Sequence, residues 1–337
     1  MLSLRIAQEF WPFREPFRIS GYIFTEAKPI VVQLTDGGVT GAGEAVGVYY
    51  RGETPQSMIA QIESVRAAIE SGITRTALRK LLPPGGARNA VDCALWDLEA
   101  KRTGVPAWRA AGLNAPATLP TTYTIGADEP AKMAAIALRY APAPRLKLKL
   151  RGPEDVACVS AVRRARPNTW IGVDANQGFT RASLEAAMAE FVAADVRLIE
   201  QPVKIGAEAD LEGLRSRIPL AADESVQSLA DIVSAKGRFD VVNIKLDKCG
   251  GLTEARMMAH AIREAGMRPM VGCMEGTSLA MMPGALLGQL CDFVDMDGAM
   301  FLASDRAPGV EYRGGDIVCT TEGWGSPGES RGLQAAS

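Results

Sequence analysis

From about residue 120 the chain repeats one hydrophobic pattern. A short apolar run is followed by a polar stretch in which apolar residues recur every three to four positions. The runs are Tyr123–Gly126, Arg145–Leu150, Thr169–Asn176, Arg197–Val203, Ile218–Ser225, Phe239–Gly251, Arg268–Gly276 and Asp292–Gly298. Between most of them lie Ala-, Glu- and Arg-rich segments with helical spacing, such as Arg181–Ala193 and Thr253–Ala265. Eight β-like runs alternating with helices, at a period of roughly 22 to 30 residues, predict a parallel (β/α) barrel. A doubly wound open sheet also alternates, but eight regular units favour closure.

The first third has a different texture. Ile30–Leu34 is a β-branched run that the Gly-rich Thr35–Gly43 turns back as a hairpin. Ser57–Ser71 and Ala87–Thr103 carry apolar residues at helical spacing. The expected organisation is an α+β capping domain over 1–112, a barrel over 113–306, and a last segment, 307–337. That segment contains the strand-like Asp316–Thr320 and packs back on the first domain.

Composition narrows the chemistry. Of 337 residues 47% are hydrophobic, enough for a sizeable core, and a net charge of −2 provides no basic field for nucleic acid. No apolar run is long enough to span a bilayer, and the amino terminus lacks a signal-peptide pattern. The six cysteines are scattered without a C-x-x-C pair, as expected of reduced thiols in a cytoplasmic protein. The one histidine, His260, lies mid-helix and is expected to pack or face solvent, which removes histidine-based zinc sites and Ser-His-Asp chemistry. Acid and base work falls to carboxylates, lysines, tyrosines or cysteines. The methionines at 257, 258, 281 and 282 are expected to fill the core.

In such barrels the reacting groups project from the carboxyl ends of the strands. Here those positions hold Lys147 and Lys149, Asp174, Glu200, Asp223, Lys245, and the pair Asp295 and Asp297. Asp174, Glu200 and Asp223 end three successive runs, and three hard oxygen donors from neighbouring strands suit Mg2+. The alternative is three separate carboxylates that cap helices or pair with lysines. Lys147 and Lys149 are two apart, so both point into the barrel if Leu146, Leu148 and Leu150 pack outside. Mutual repulsion and a nearby Mg2+ are expected to lower a lysine toward the range of a working base. Lys245 enters four strands later, on the opposite wall. A metal between two amines fits proton transfer at a carbon next to a carboxylate: one lysine takes the proton and the other returns it to the opposite face. Elimination or cycloisomerisation uses the same parts.

These motifs resemble the enolase superfamily, and within it the muconate lactonizing subgroup. The resemblance rests on Lys147-Leu148-Lys149, the Asp174/Glu200/Asp223 set, the stretch Asn243–Ala255 around Lys245, and the helix Ala87–Lys101. It spans nearly the whole chain and implies a modified (β/α)7β barrel with the capping domain closing over the site. The D-x-D of Asp295 and Asp297, with Gly272–Glu275 ending the seventh run, is similar to the dipeptide epimerases of the L-Ala-D/L-Glu epimerase group. The likeness implies a dipeptide whose α-ammonium is held by Asp295 and Asp297, with Thr124 and Cys273–Glu275 lining the pocket. It further implies that Lys147 neutralises the substrate oxygen while Lys149 and Lys245 exchange the proton, in peptidoglycan peptide recycling. A D-x-D by itself is also what a helix N-cap pair looks like.

One position departs from the pattern. The Ala-Glu enzymes place an arginine in the capping loop against the substrate glutamate, and this chain has Phe24 there, with Arg18 or Arg51 as substitutes from elsewhere in the cap. The segment after Glu275 also differs, so a hydrophobic or otherwise non-acidic second residue stands as an alternative to glutamate. Gly250-Gly251 is expected to be a tight turn rather than a phosphate site, and Cys273, without a histidine, is not expected to act as a nucleophile. The rival activities are those of o-succinylbenzoate synthase, N-acylamino acid racemase and cycloisomerases, whose substrates lack a free α-ammonium; a non-catalytic barrel is the alternative from another class. Oligomeric state is not fixed by the sequence, and a homo-oligomer is compatible with it.

Overall fold

The computed structural model describes residues 2–19, 21–116 and 118–327. The amino-terminal part holds β1 (Ser3–Gln8), β2 (Trp11–Ile19), β3 (Tyr22–Ala27), β4 (Ile30–Asp36) and β5 (Val39–Ala45). β1, β4 and β5 form one antiparallel sheet, and β2 and β3 form a separate hairpin. The β4–β5 turn is confined to Gly37 and Gly38, at φ 56° and 83°, the positive values that a two-residue hairpin turn requires. The expected Gly-rich turn is therefore shorter than Thr35–Gly43. Gly41 and Gly43 lie within β5 because a Cβ at either would come within 2.6 Å of the backbone of helix Gly86–Thr103. They let sheet and helix touch.

The helix expected over Ser57–Ser71 is two. Thr54 caps Pro55–Ser64 through a reciprocal pair with Ser57, Val65 leaves the helical region, and Arg66–Glu70 starts again. The break lets Arg66 donate to the Leu4 carbonyl at 2.8 Å while Glu70 accepts from Leu4 N at 3.3 Å, fastening this short helix to β1.

β6 (Thr118–Pro120) leads into eight parallel strands: β7 (Tyr123–Ile125), β8 (Arg145–Lys149), β9 (Trp170–Asp174), β10 (Val196–Glu200), β11 (Leu220–Ala222), β12 (Val241–Lys245), β13 (Arg268–Gly272) and β14 (Phe293–Asp295). They pair in strict chain order, as the eight runs predicted. A hydrogen bond from Thr122 N to the Val294 carbonyl at 3.1 Å joins the last strand to the start of the first, so the sheet nearly closes. Helices cover the outside, except that the β10–β11 connection carries only a 3-10 turn, Glu208–Leu211. Leu146, Leu148 and Leu150 join the core between strands and helices, leaving Lys147 and Lys149 to the interior. Of the four methionines, Met258, Met281 and Met282 are buried as expected; Met257 is 40% exposed on the outer face of its helix.

β15 (Glu311–Arg313) pairs with β16 (Asp316–Val318), which pairs with β6, and beyond them Trp324 donates to the Cys93 carbonyl at 3.0 Å. Two buried acids tie the amino-terminal part to barrel loops: Asp247 accepts from Val46 N and Gly47 N, each at 2.9 Å, and Glu44 accepts from Thr277 N at 2.8 Å and pairs with Arg306 at 3.0 Å. The β2–β3 hairpin lies over the barrel mouth, with Phe17 and Phe301 at 4.4 Å and Ala127 N bonded to the Arg18 carbonyl. Among the described residues no helix is long and apolar enough to cross a membrane.

Candidate active site

The strand alternation that sends leucines outward brings a belt of charge to the carboxyl end of the barrel interior. Lys149, Asp174 and Glu200 are successive partners across β8, β9 and β10, and Lys245, Gly272 and Asp295 are successive partners across β12, β13 and β14. Asp223 stands just past β11. Asp174, Glu200 and Asp223 are 0%, 1% and 2% exposed. Charges buried this deeply need partners. Lys147 reaches Asp295 at 2.7 Å, Glu200 at 2.8 Å and Asp174 at 3.1 Å. Lys149 pairs with Asp174 at 2.6 Å, and across the barrel Lys245 pairs with Asp223 at 2.8 Å.

Electrostatics follow from these pairs. Burial works to raise Asp174, but Lys149 and Lys147 outweigh it and hold the carboxyl at about 2. Asp223 is likewise held below its usual range against burial, by Lys245 and Lys248. Glu200 goes the other way, to about 8, through burial and then repulsion from Asp174. Burial alone would lower Lys147 and Lys245, yet the facing carboxylates, Asp295 for the first and Asp223 for the second, hold both ammonium groups well above the lysine range. Lys147 and Lys245 thus do not show the expected lowering in this arrangement, because carboxylates face both amines.

Two further partners join the belt: Asn243, which by alternation shares the face of Lys245 on β12, and Lys248, which carries no strand-end signal. Lys248, in the helical turn after β12, is buried and donates to Asp223 Oδ1 at 2.7 Å and to the Asn243 carbonyl at 2.8 Å. Asn243 donates to Glu200 at 2.8 Å, and its Oδ1 is buried without a partner. A lysine three residues after another strand-end lysine was the available clue. The chemistry of Asp174, Glu200 and Asp223 fits a hard divalent cation: they are buried carboxylates at the ends of adjacent strands, and Glu200 is raised by burial first and then by the charge of Asp174. Among the described residues no three such side chains are drawn into a ligating cluster, since each is turned to a lysine or to Asn243.

Asp295 also accepts from the Thr122 hydroxyl, and Asp297 accepts from Thr124 N at 2.6 Å. Asp297 occupies the N-cap position of the 3-10 helix Gly298–Phe301 but makes no capping hydrogen bond. Burial and the charge of Asp295 raise Asp297 to about 7. Cys273 donates its thiol to the Asp295 carbonyl, and burial raises it well above its usual range. Thr124, Lys147, Lys149, Asp223, Lys245, Cys273, Glu275, Asp295 and Asp297 line one cavity. Asp174 and Glu200 sit behind its wall.

From the cap the cavity receives Ile19, Tyr49 and Tyr50. Phe24 stands outside it, its ring 5.3 Å from that of Tyr49. Arg18 and Arg51 are exposed and lie off the cavity wall. His260 is on the exposed face of its helix. Gly250 and Gly251, at φ 75° and 110°, form a turn pressed against Arg88 and Asp92.

Residues 1–112 match the model of the mandelate racemase/muconate lactonizing enzyme N-terminal domain, and residues 131–323 match the enolase C-terminal domain-like model. The chain is 38% identical over 319 residues to the L-Ala-D/L-Glu epimerase of Escherichia coli K12, covering 94% of this chain and 99% of the relative. An Agrobacterium tumefaciens enolase family member with homology to dipeptide epimerases, solved with sodium and L-Ala-L-Glu, superposes with a TM-score of 0.92 at 40% identity, over 95% of this chain and 98% of that one. The dipeptide epimerase of Methylococcus capsulatus, complexed with Mg and L-Arg-D-Lys, gives a TM-score of 0.86 at 28% identity, over 94% and 96%.

Proposed function

The chain belongs to the mandelate racemase/muconate lactonizing enzyme family of the enolase superfamily, and from that premise we propose that it is an isomerase, a dipeptide epimerase that inverts the α-carbon of the second residue. The observation that carries the reading is the pair of buried amines, Lys149 and Lys245, on β8 and β12, four strands apart around an eight-stranded ring. A substrate carbon between them has one amine on each face. The neutral lysine removes the α-proton, and the other, as an ammonium, delivers one to the opposite side. Asp174, Glu200 and Asp223 would hold Mg2+, which when bound supplies positive charge against the negative charge developing on the substrate carboxylate. Committing Asp174 and Asp223 to a cation also removes the carboxylates that hold Lys149 and Lys245 in ion pairs, which frees an amine to act as base.

Lys147, in contact with three carboxylates, adds a fixed cation beside the substrate oxygen. Asp295 and Asp297, adjoining Thr124, form the clamp for the dipeptide α-ammonium, since two carboxylates give a charge-assisted pair of acceptors. This clamp speaks against o-succinylbenzoate synthase, N-acylamino acid racemase and cycloisomerase activities, whose substrates have no ammonium to place there. Among the described residues no cation from the cap stands on the wall, so a non-acidic second residue fits better than glutamate. Six free cysteines suit a reducing, cytoplasmic setting.

Incubation with a dipeptide library in D2O and Mg2+, read by mass spectrometry, tests the reading. Deuterium is expected at the α-carbon of the second residue, and uptake should stop when a chelator removes the metal. Folded protein that exchanges no dipeptide would reject the assignment.

A further inference from the structure

The unpaired charges of the cavity bear on which dipeptide it takes, an inference that rests on the dipeptide reading. Its wall carries five carboxylates, Asp223, Glu224, Glu275, Asp295 and Asp297, against three lysines, Lys147, Lys149 and Lys245. Those lysines are engaged by Asp174, Glu200, Asp223 and Asp295, and none by Glu275. Among the described residues Glu275, half-buried in the loop after β13, has no ion-pair partner. Glu224, after β11, is 3% exposed and keeps its Oε2 buried without a hydrogen bond. Tyr49 lines the same cavity as Lys245, Glu224 and Glu275, and burial raises its hydroxyl.

The residues around this acidic edge are apolar or aromatic. Ile19, Met274 and Phe301 line the same wall, and Tyr49 and Tyr50 stand edge to face at 5.2 Å. A divalent cation at Asp174, Glu200 and Asp223, and an ammonium at Asp295 and Asp297, leave Glu275 unneutralised. An acidic side chain in its place would meet a like charge in a low-dielectric cavity, and a neutral one would leave the carboxylate desolvated and unpaired. A long side chain with an apolar stem and a terminal cation matches the wall, the aromatic rings adding their own attraction for a cation.

We propose that Glu275 selects dipeptides bearing a basic side chain, lysine, ornithine or arginine, whose stem lies along Ile19 and Phe301 and whose charge meets Glu275 beside Tyr49. The Mg2+-loaded enzyme should be assayed for α-deuterium uptake on L-Ala-L-Lys, L-Lys-L-Ala, L-Ala-L-Leu and L-Ala-L-Glu. One of the two basic dipeptides is expected to give the highest kcat/KM, at least about tenfold above L-Ala-L-Leu and about a hundredfold above L-Ala-L-Glu. Which of the two wins identifies the position of the basic residue. Glu275→Lys should shift the ratio of basic to acidic turnover by about a hundredfold toward the acidic dipeptide, chiefly through KM, and Glu275→Gln by about tenfold. Turnover of L-Ala-L-Glu or L-Ala-L-Leu at or above the better basic dipeptide, or a ratio unmoved in Glu275→Lys, overturns the proposal and leaves the epimerase reading standing. Exchange on none of the four, nor on any library dipeptide, removes both.

Discussion

The two ends of the barrel interior are built from the same strands and have opposite chemistry. At the amino ends, Leu198, Ala221, Val241 and Met270 pack with Trp170 and Phe293 into an apolar plug. Two to four residues further along the same strands come Asp174, Glu200, Asp223, Lys245 and Asp295, buried and ion-paired. Gly172, between the two layers on β9, lacks a side chain where the Trp170 ring lies 2.8 Å from the place a Cβ would take. The plug gains free energy by leaving water. The charged layer loses hydration and recovers part of it through ion pairs. One layer supports the fold, and the other is held in place by it.

Substitutions in the two layers should therefore fail differently. The largest effect belongs to the charged layer. Lys149→Ala and Lys245→Ala should each lower epimerisation at least about a thousandfold, while exchange from a single stereoisomer survives in one of them. Undiminished turnover in both, measured by polarimetry, would reject the two-base scheme. In the plug, Trp170→Ala should cost roughly 3 kcal/mol of stability through the void it leaves, seen as a lower denaturant midpoint, with kcat within a few-fold of the parent. A lost kcat at unchanged stability would erase the distinction between the layers.

Smaller effects sharpen the contrast within the charged layer. Asp297→Asn keeps the shape but halves the ammonium clamp, and should lower kcat/KM on dipeptides about a hundredfold, mainly through KM. Untouched activity would mean that the clamp is assigned wrongly. The smallest and most diagnostic effect is on pH. Asp297 is raised to about 7 by burial and then by Asp295, so below that pH it carries a proton and no charge. Ammonium binding is present above pH 7 and lost as pH falls through it, so kcat/KM should drop about tenfold per unit below the inflection. The inflection should vanish in Asp297→Asn.

Much of this layout was legible in the residue pattern, because a β-strand has a period of two and a barrel places its reacting groups at strand ends. Lys147 and Lys149 alternate with leucines, so their inward direction followed from sequence alone. The eight runs and their order followed the same way. Lys248 escaped because its amine enters the belt from a helical turn, where no alternation marks direction. The break at Val65 escaped because the apolar spacing of Ser57–Ser71 is continuous, and docking of Arg66 and Glu70 on β1 decides it. Phe24 occupies the position expected to face the substrate, yet it lies off the cavity wall and meets Tyr49 edge to face, a cap packing that one-dimensional spacing does not encode.

What the sequence determined by itself was the list of charged groups at the strand ends and the strand that carries each, since alternation and spacing are local properties of the backbone. What only the tertiary structure decided was partnership: which carboxylate each lysine meets, which acids stay unpaired, and which aromatic rings close the cavity. Those depend on side chains far apart in the chain and brought together by closure of the barrel. Lys147 and Asp295, separated by 148 residues, meet at 2.7 Å because closure brings the last strand, β14, beside β7, the neighbour of β8.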